Sequence, residues 1–297
     1  MLFRSTPQLN GILTLPKGVE KPMVVVMVQG SGPSNLNEQI NENKPFEDIA
    51  YGLAKQGIAS LRFDKRSYAF PESMNLEYAT VSDEYFYDVS SAIHMLEKYP
   101  VDPFKIYLLG HSLAGSLAFS IVDQHPELKG AIVMAGSPRN LVDIIYDQAE
   151  ASLKLQFNMD EDTLNKSLQT YKEAIESIKA LTDESEHSII LNVNSEYWNS
   201  LNKNSFENYK EINRKFLIIQ GEKDGQVYFE KDYNIFKETL GKNKKVTLKS
   251  YPDLNHLFMV TNENPLDYSI KSNVSNEVIE DIAKWMNGED ILKVKKK

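Results

Sequence analysis

Residues 106–118, Ile106-Tyr107-Leu108-Leu109-Gly110-His111-Ser112-Leu113-Ala114-Gly115-Ser116-Leu117-Ala118, read as a buried strand, a tight turn of small residues and the start of a helix. A serine carried on such a turn sits in strained backbone, and large neighbours would collide with both the strand and the helix. Gly110 meets that demand and Ala114 nearly does, so the stretch departs mildly from Gly-x-Ser-x-Gly, with Gly115 directly behind. The competing reading is an ordinary strand-to-helix turn. A bare Gly-x-Ser arises often by chance, but one framed by an apolar strand and a small-residue helix is much rarer. Ser112 is therefore the candidate nucleophile.

Working outward, short apolar runs alternate with helical patterns, which is the signature of βαβ units and a mostly parallel sheet. The pattern predicts strands over Leu9–Leu15, Met23–Val28, Ile58–Phe63, Ile106–Leu109, Ala131–Ala135, Phe216–Gln220 and Val246–Tyr251. It predicts helices over Phe46–Gln56, Val81–Lys98, Leu113–Asp123, Tyr228–Leu240 and Asn276–Trp285. The unbroken run Val24-Val25-Val26-Met27-Val28 suits a central strand covered on both faces. From about Asn140 to Ile212 the pattern turns to long polar helices such as Glu161–Leu181, and strand periodicity resumes only at Phe216. We read 140–212 as a helical cap inserted into a core formed by 1–139 and 213–297; a large surface excursion without function is the alternative.

Bulk properties narrow the classes. The 297 residues suffice for a large α/β core with an insertion, and 41% hydrophobic with 25% charged residues is a globular composition. A net charge of -9 offers no uniform basic surface, so nucleic acid is not expected as a partner. The basic run Lys293–Lys297 reads as a solvated tail. With no cysteine, thiolate nucleophiles, disulfides and thiolate metal sites are excluded. Met1–Asn10 shows no basic segment followed by an apolar one, and no run of about 18 apolar residues occurs anywhere. No membrane span is expected, and a cytoplasmic location is favoured with secretion left open.

A serine hydroxyl needs a base to take its proton and an acid to hold that base. On this kind of framework the chain order is serine, acid, histidine. Of five histidines, His94 lies in a helical pattern, His111 precedes the serine, His125 ends a helix and His187 falls in the proposed cap. His256 alone lies late in the chain, in the loop Pro252-Asp253-Leu254-Asn255-His256 after a predicted strand. For the acid, Phe216-Leu217-Ile218-Ile219-Gln220 runs into Gly221-Glu222-Lys223-Asp224-Gly225 at the carboxyl edge of the sheet, where ligands meet open α/β sheets. Asp224 is the choice and Glu222 the runner-up, while a purely structural turn role for Asp224 is the bland reading. The loop Gln29-Gly30-Ser31-Gly32-Pro33 ends the second strand at the same edge. Its backbone can aim N–H groups at a developing oxyanion, with Ser31 N–H joining Leu113 N–H; plain turn chemistry is the alternative. Neither the phosphate-loop Gly-Lys-Ser/Thr nor Gly-x-Gly-x-x-Gly occurs there.

Taken together, Gly11–Pro16, Gln29–Pro33, Leu61–Arg66, Gly110-His111-Ser112, Gln220–Asp224 and Leu254–Phe258 make the sequence resemble bacterial α/β-hydrolase carboxylesterases with a dienelactone-hydrolase-like core and a helical cap. Members of that group often carry His where Gln29 stands and Gly where Ser67 stands. The resemblance implies hydrolysis of acyl esters, often short-chain, through an acyl-enzyme and without metal or organic cofactor. It also implies that Tyr197 and Trp198 face the nucleophile, with Gln29 and Gly30 near the substrate; the residues themselves suit packing of cap on core equally well. Asp64, Lys65 and Arg66 read as loop braces with substrate contact as the alternative, Arg139 as a fastening at the core–cap junction with an acidic substrate group as the alternative, and Asn35 and Asn37 as candidates for the entrance. Thioesterase, acyltransferase and peptidase remain rivals on the same machinery, as does a hydrolase-fold binding protein without activity. Oligomeric state is not legible.

Overall fold

The computed structural model describes residues 2–3, 7–157, 160–261 and 264–292; the run 293–297 lies outside them. Eight strands form the main sheet: β1 (Leu2–Phe3), β2 (Leu9–Thr14), β3 (Val24–Val28), β4 (Ala59–Phe63), β5 (Ile106–His111), β6 (Leu128–Met134), β9 (Lys215–Gly221) and β10 (Val246–Tyr251). Their spatial order is β1-β2-β4-β3-β5-β6-β9-β10. Every neighbouring pair from β4 to β10 is parallel, and only the β1–β2 and β2–β4 pairs are antiparallel. The expected α/β-hydrolase fold, a mostly parallel sheet flanked by helices, is what the chain adopts.

The residue pattern explains which strand goes where. All five residues of β3 are buried, as a doubly covered strand requires. Val24, Val26 and Val28 join the apolar cluster on one face, while Val25 and Met27 join that on the other. β2 instead alternates buried Leu9 and Gly11 with exposed Asn10 and Ile12, the period of a strand near the edge of a sheet. Helix α1 (Pro45–Lys55) opens on a proline and carries Glu47 and Asp48 in its first turn and Lys55 in its last, all in register with its dipole. It packs with α9 (Asn276–Met286) on one face, through Phe46, Ile49 and Leu53 against Val278, Ile282 and Trp285. The short α2 (Arg66–Ala69) follows β4. Helices α3 (Tyr87–Met95), α4 (Leu113–Gln124) and α8 (Asn234–Leu240) contribute to the cluster on the opposite face.

Two helices expected as continuous begin with a π-helical turn. Val81–Lys98 resolves into a π turn over Ser82–Phe86, then α3, then a 3₁₀ turn over Leu96–Lys98. Tyr228–Leu240 resolves into a π turn over Phe229–Tyr233 and then α8. In each case the wide turn holds a buried or nearly buried carboxylate in an ion pair, Glu84 with Lys65 and Asp232 with Arg139. Such turns are frequent at functional sites, and apolar periodicity does not distinguish them from α-helix.

Between β6 and β9 the chain leaves the sheet. It forms α5 (Leu141–Phe157), α6 (Glu161–Lys179), a hairpin of β7 (Ile189–Ile190) and β8 (Val193–Asn194), α7 (Ser195–Lys203) and a 3₁₀ turn over Phe206–Tyr209. Leu191 and Asn192 in the hairpin both have positive φ, as a two-residue turn of the primed type needs. The excursion is fastened at both ends. At its start Arg139 bonds Asp232 through Nε (2.8 Å) and Nη2 (2.9 Å), and its Nη1 lies 2.9 Å from Asp147. At its end Phe206 packs with Phe119 and Phe236 on the core.

Candidate active site

The loops that follow β3, β5, β9 and β10 all lie at the carboxyl edge of the sheet, because those strands run parallel. Ser112 is the junction between β5 and α4, with φ +53° and ψ −119°. For a residue with a Cβ this conformation costs about 1–3 kcal/mol, which the packing around it must outweigh. That packing is tight: a Cβ on Gly110 would come within 2.3 Å of the Ala114 carbonyl oxygen. Any larger residue at 110 would therefore push the strand off the helix. A Cβ on Gly30 would likewise meet the Ser112 Cβ at 2.8 Å, so the β3 loop can lie against Ser112 only as glycine.

The β9 and β10 loops bring Asp224 and His256 together. Asp224 Oδ2 lies 2.7 Å from His256 Nδ1, and both side chains are buried. The carboxylate is held by its other contacts: Oδ1 accepts from Gln226 N–H (2.8 Å) and Val227 N–H (2.9 Å), and Oδ2 accepts from Gln220 Nε2 (2.8 Å). An acid so fixed sets the tautomer of the imidazole, leaving Nε2 for proton transfer. Glu222, the runner-up, is exposed and accepts from Ser250 Oγ at 2.6 Å instead.

Two clefts meet at Ser112. One, of about 150 Å³, runs under the β6–β9 excursion and is lined by Leu113, Leu117, Ile145, Ile178, Trp198 and Leu201 among others. The second is more open and polar and is bordered by Gly30, Ser31, Glu38, His111, Ser112 and His256. Ser31 and Gln226 line both. Leu113 N–H is the first of α4 and has no acceptor within its own helix. Ser31 N–H takes no backbone acceptor among the described residues.

The other sequence candidates are distributed differently. Trp198 lines the apolar cleft and donates its indole N–H to the Ile190 carbonyl. Tyr197 lines neither cleft; its hydroxyl donates to Glu84. Gln29 is fully buried and donates to the carbonyls of Phe63 (2.5 Å) and Asn35 (3.1 Å), so it ties loops together instead of meeting solvent in the clefts. Asp64 accepts from Leu36 N–H at 2.8 Å, Arg66 forms a two-pronged pair with Asp88, and Asn37 accepts from Arg62. All three brace loops. Arg139 reaches the apolar cleft, but its guanidinium is occupied by Asp232 and Asp147.

Glu38 was not a sequence candidate. It has a positive φ of 50°, accepts from Gly30 N–H at 2.7 Å and lies 2.9 Å from His111 Nδ1. His111 Nε2 in turn donates to the His256 carbonyl at 2.9 Å. Burial alone would favour neutral His111, but the Glu38 charge and the His256 carbonyl outweigh it and raise the pKa above its ordinary value. Nothing in the local sequence marks Glu38, because its contacts with Gly30 and His111 form only when the connection after β3 folds back on itself and against the end of β5. Among the described residues no cluster of three or more acidic or histidine side chains is arranged to hold a metal ion. No described helix is long and apolar enough to cross a membrane.

This strand order, with a serine on the β5–α4 turn and a histidine–carboxylate pair supplied by later loops, defines an α/β hydrolase. The profile of the family described as serine aminopeptidase, S33, matches residues 41–264, and the chain belongs to that family. It is 34% identical over 284 residues to esterase EstD of Thermotoga maritima, an alignment covering 94% of this chain and 65% of EstD. The chain thus spans just under two thirds of EstD's length. Among solved structures, Est1E of Butyrivibrio proteoclasticus superposes with a TM-score of 0.58 at 16% identity, covering 97% of this chain and 99% of Est1E. The esterase domain of a Rhodothermus marinus protein gives 0.55 at 17%, covering 96% and 95%. At those identities the two structures share the fold alone.

Proposed function

We propose that the protein is a serine carboxylesterase acting on small esters, with residues 140–212 as a cap over the acyl site. Ser112 attacks the ester carbonyl while His256 Nε2 takes its proton, and Asp224 stabilises the imidazolium. The N–H groups of Leu113 and Ser31 receive the oxyanion. His256 then protonates the departing alcohol, and water activated by the same imidazole releases the acid. The observation that carries this reading is the buried 2.7 Å Asp224–His256 contact, whose imidazole borders the same cleft as Ser112.

The clefts support an assignment of the two halves of the substrate. The apolar cleft suits the acyl group, and its volume of about 150 Å³ lies well below the roughly 300–1,000 Å³ of sites for drug-sized ligands. A short or small aromatic acyl group fits that limit. The polar, open cleft suits the departing alcohol. An aminopeptidase would need an accessible carboxylate for the substrate ammonium; among the described lining residues the one carboxylate is Glu38, whose Oε1 meets Gly30 N–H and His111 and whose Oε2 is buried from solvent.

Turnover of p-nitrophenyl esters from acetate to decanoate, beside matched thioesters and aminoacyl anilides, tests the proposal. Short acyl esters should be preferred, and Ser112→Ala should lower kcat by about 10⁴–10⁶ with the fold retained. Retained turnover in Ser112→Ala, or preference for the anilides, would overturn it.

A further inference from the structure

The peptide joining Gly30 to Ser31 is gripped from outside the clefts by residues that the proposed chemistry does not use. Its carbonyl oxygen accepts from Lys65 Nζ at 2.8 Å and from the Tyr85 hydroxyl at 2.7 Å. One peptide earlier, Gly30 N–H is fixed on Glu38. In a trans peptide the C=O and the following N–H point in opposite directions. Anchoring the Gly30 oxygen therefore dictates where Ser31 N–H points. A carbonyl bonded to an ammonium and a phenol is also polarised, which makes the N–H at the other end of the same amide a stronger donor.

The grip continues into the cap. Lys65 is almost wholly buried, stands 4.2 Å over the Tyr85 ring and is bonded by Glu84 Oε1 at 2.5 Å. The second oxygen of Glu84 accepts from the hydroxyl of Tyr197, on α7. Burial pulls the Lys65 pKa down and Glu84 opposes that pull; burial, with Glu84 beside it, pushes the Tyr197 pKa far up. The Tyr197 phenol is thus kept as a donor. The two residues that meet Lys65, Glu84 and Tyr85, are adjacent on the π turn that precedes α3.

Resting on the esterase reading, we propose that Lys65 and Tyr85 are positioning residues for the oxyanion N–H of Ser31, and that Tyr197, through Glu84, makes their grip depend on the seating of the cap. The chain runs cap hydroxyl, carboxylate, ammonium, carbonyl, oxyanion donor. It contacts no substrate atom, so its effect belongs to the transition state and not to ground-state binding.

The test uses the full chain with p-nitrophenyl butyrate, and a butyl trifluoromethyl ketone as a probe that becomes an oxyanion when bound. Removing a whole oxyanion donor costs about 10²–10³ in rate; misaiming one should cost less. Lys65→Met combined with Glu84→Gln, to avoid stranding a buried carboxylate, should lower kcat about 10–100-fold with KM changed less than about threefold. The ketone should lose affinity by the same factor. Tyr197→Phe, which removes one oxygen and should fold, is expected to give a smaller loss of kcat with the same signature. Added to the Lys65→Met/Glu84→Gln pair it should cost nothing more, since the chain is already cut. Unchanged kcat and ketone affinity in Tyr197→Phe, or a fully additive loss in the triple variant, would overturn the proposal. Losses confined to KM or to melting temperature would do the same. If wild type itself turns over none of the esters, the esterase reading fails instead.

Discussion

Two imidazole–carboxylate pairs lie side by side in this molecule, with the rings of His111 and His256 4.6 Å apart. His256 Nδ1 meets Asp224 at 2.7 Å, and His111 Nδ1 meets Glu38 at 2.9 Å; both histidines are buried. The difference lies at the second nitrogen. That of His256 takes no protein partner among the described residues and its ring borders the cleft of Ser112, whereas that of His111 is spent on the His256 backbone carbonyl. An imidazole–carboxylate pair whose second nitrogen is free can move protons, and one whose second nitrogen is spent on a carbonyl is left to hold loops. Here Glu38 and His111 tie the Gly30 loop, the end of β5 beside Ser112 and the His256 loop into one unit.

The comparison breaks most sharply at the first pair. His256→Ala should lower kcat by about 10⁴–10⁶ with little effect on folding, and Asp224→Asn by about 10⁴ because the wrong tautomer is then favoured. Steady-state ester hydrolysis beside circular dichroism checks both. If either variant kept wild-type turnover, the assignment of roles to the two pairs would be lost.

At the second pair the expected loss is smaller and its pH dependence is the sharper readout. Glu38→Gln keeps an oxygen for Gly30 N–H but removes the charge, and kcat/KM should fall about tenfold through loosened loops. In wild type the folded-state pKa of His111 is raised above 6.5. Its stabilising contribution is then complete below that ordinary value and is lost as pH climbs through the raised one. In Glu38→Gln burial dominates and depresses the pKa, so this group destabilises the variant on acidification. The gap in melting temperature between the two proteins should be wide below pH 6.5 and narrow as the pH rises through the raised value. A gap independent of pH would mean that the pair carries no shared proton.

The smallest change concerns neither pair. Ile145 lines the apolar cleft and is only partly buried. Ile145→Ala should shift the ratio of kcat/KM for octanoate over butyrate esters upward by about tenfold, the scale set by a few methylenes in an apolar pocket.

What the sequence discloses follows the same division. The turn at Ser112 and the meeting of Asp224 with His256 are legible because each residue follows a strand whose apolar run announces it. Glu38 is not: its partners are 8 residues away at Gly30, 73 at His111 and, through that ring, farther still at His256. Lys65 was legible as a brace but not as a grip on Gly30, since that contact depends on β3 and β4 being neighbours in the sheet. The π turns escaped because five apolar-patterned residues read alike in π and α geometry. Tyr197 and Trp198 are consecutive on α7 and so cannot share one face; only the folded helix shows which of them reaches the cleft.

The positive φ of Ser112 has an evolutionary edge. Glycine would occupy that backbone without strain, so Ser112→Gly should be at least as stable as Ser112→Ala, by about 1 kcal/mol. Exchange of Ser112 for glycine would thus be a downhill step for the fold.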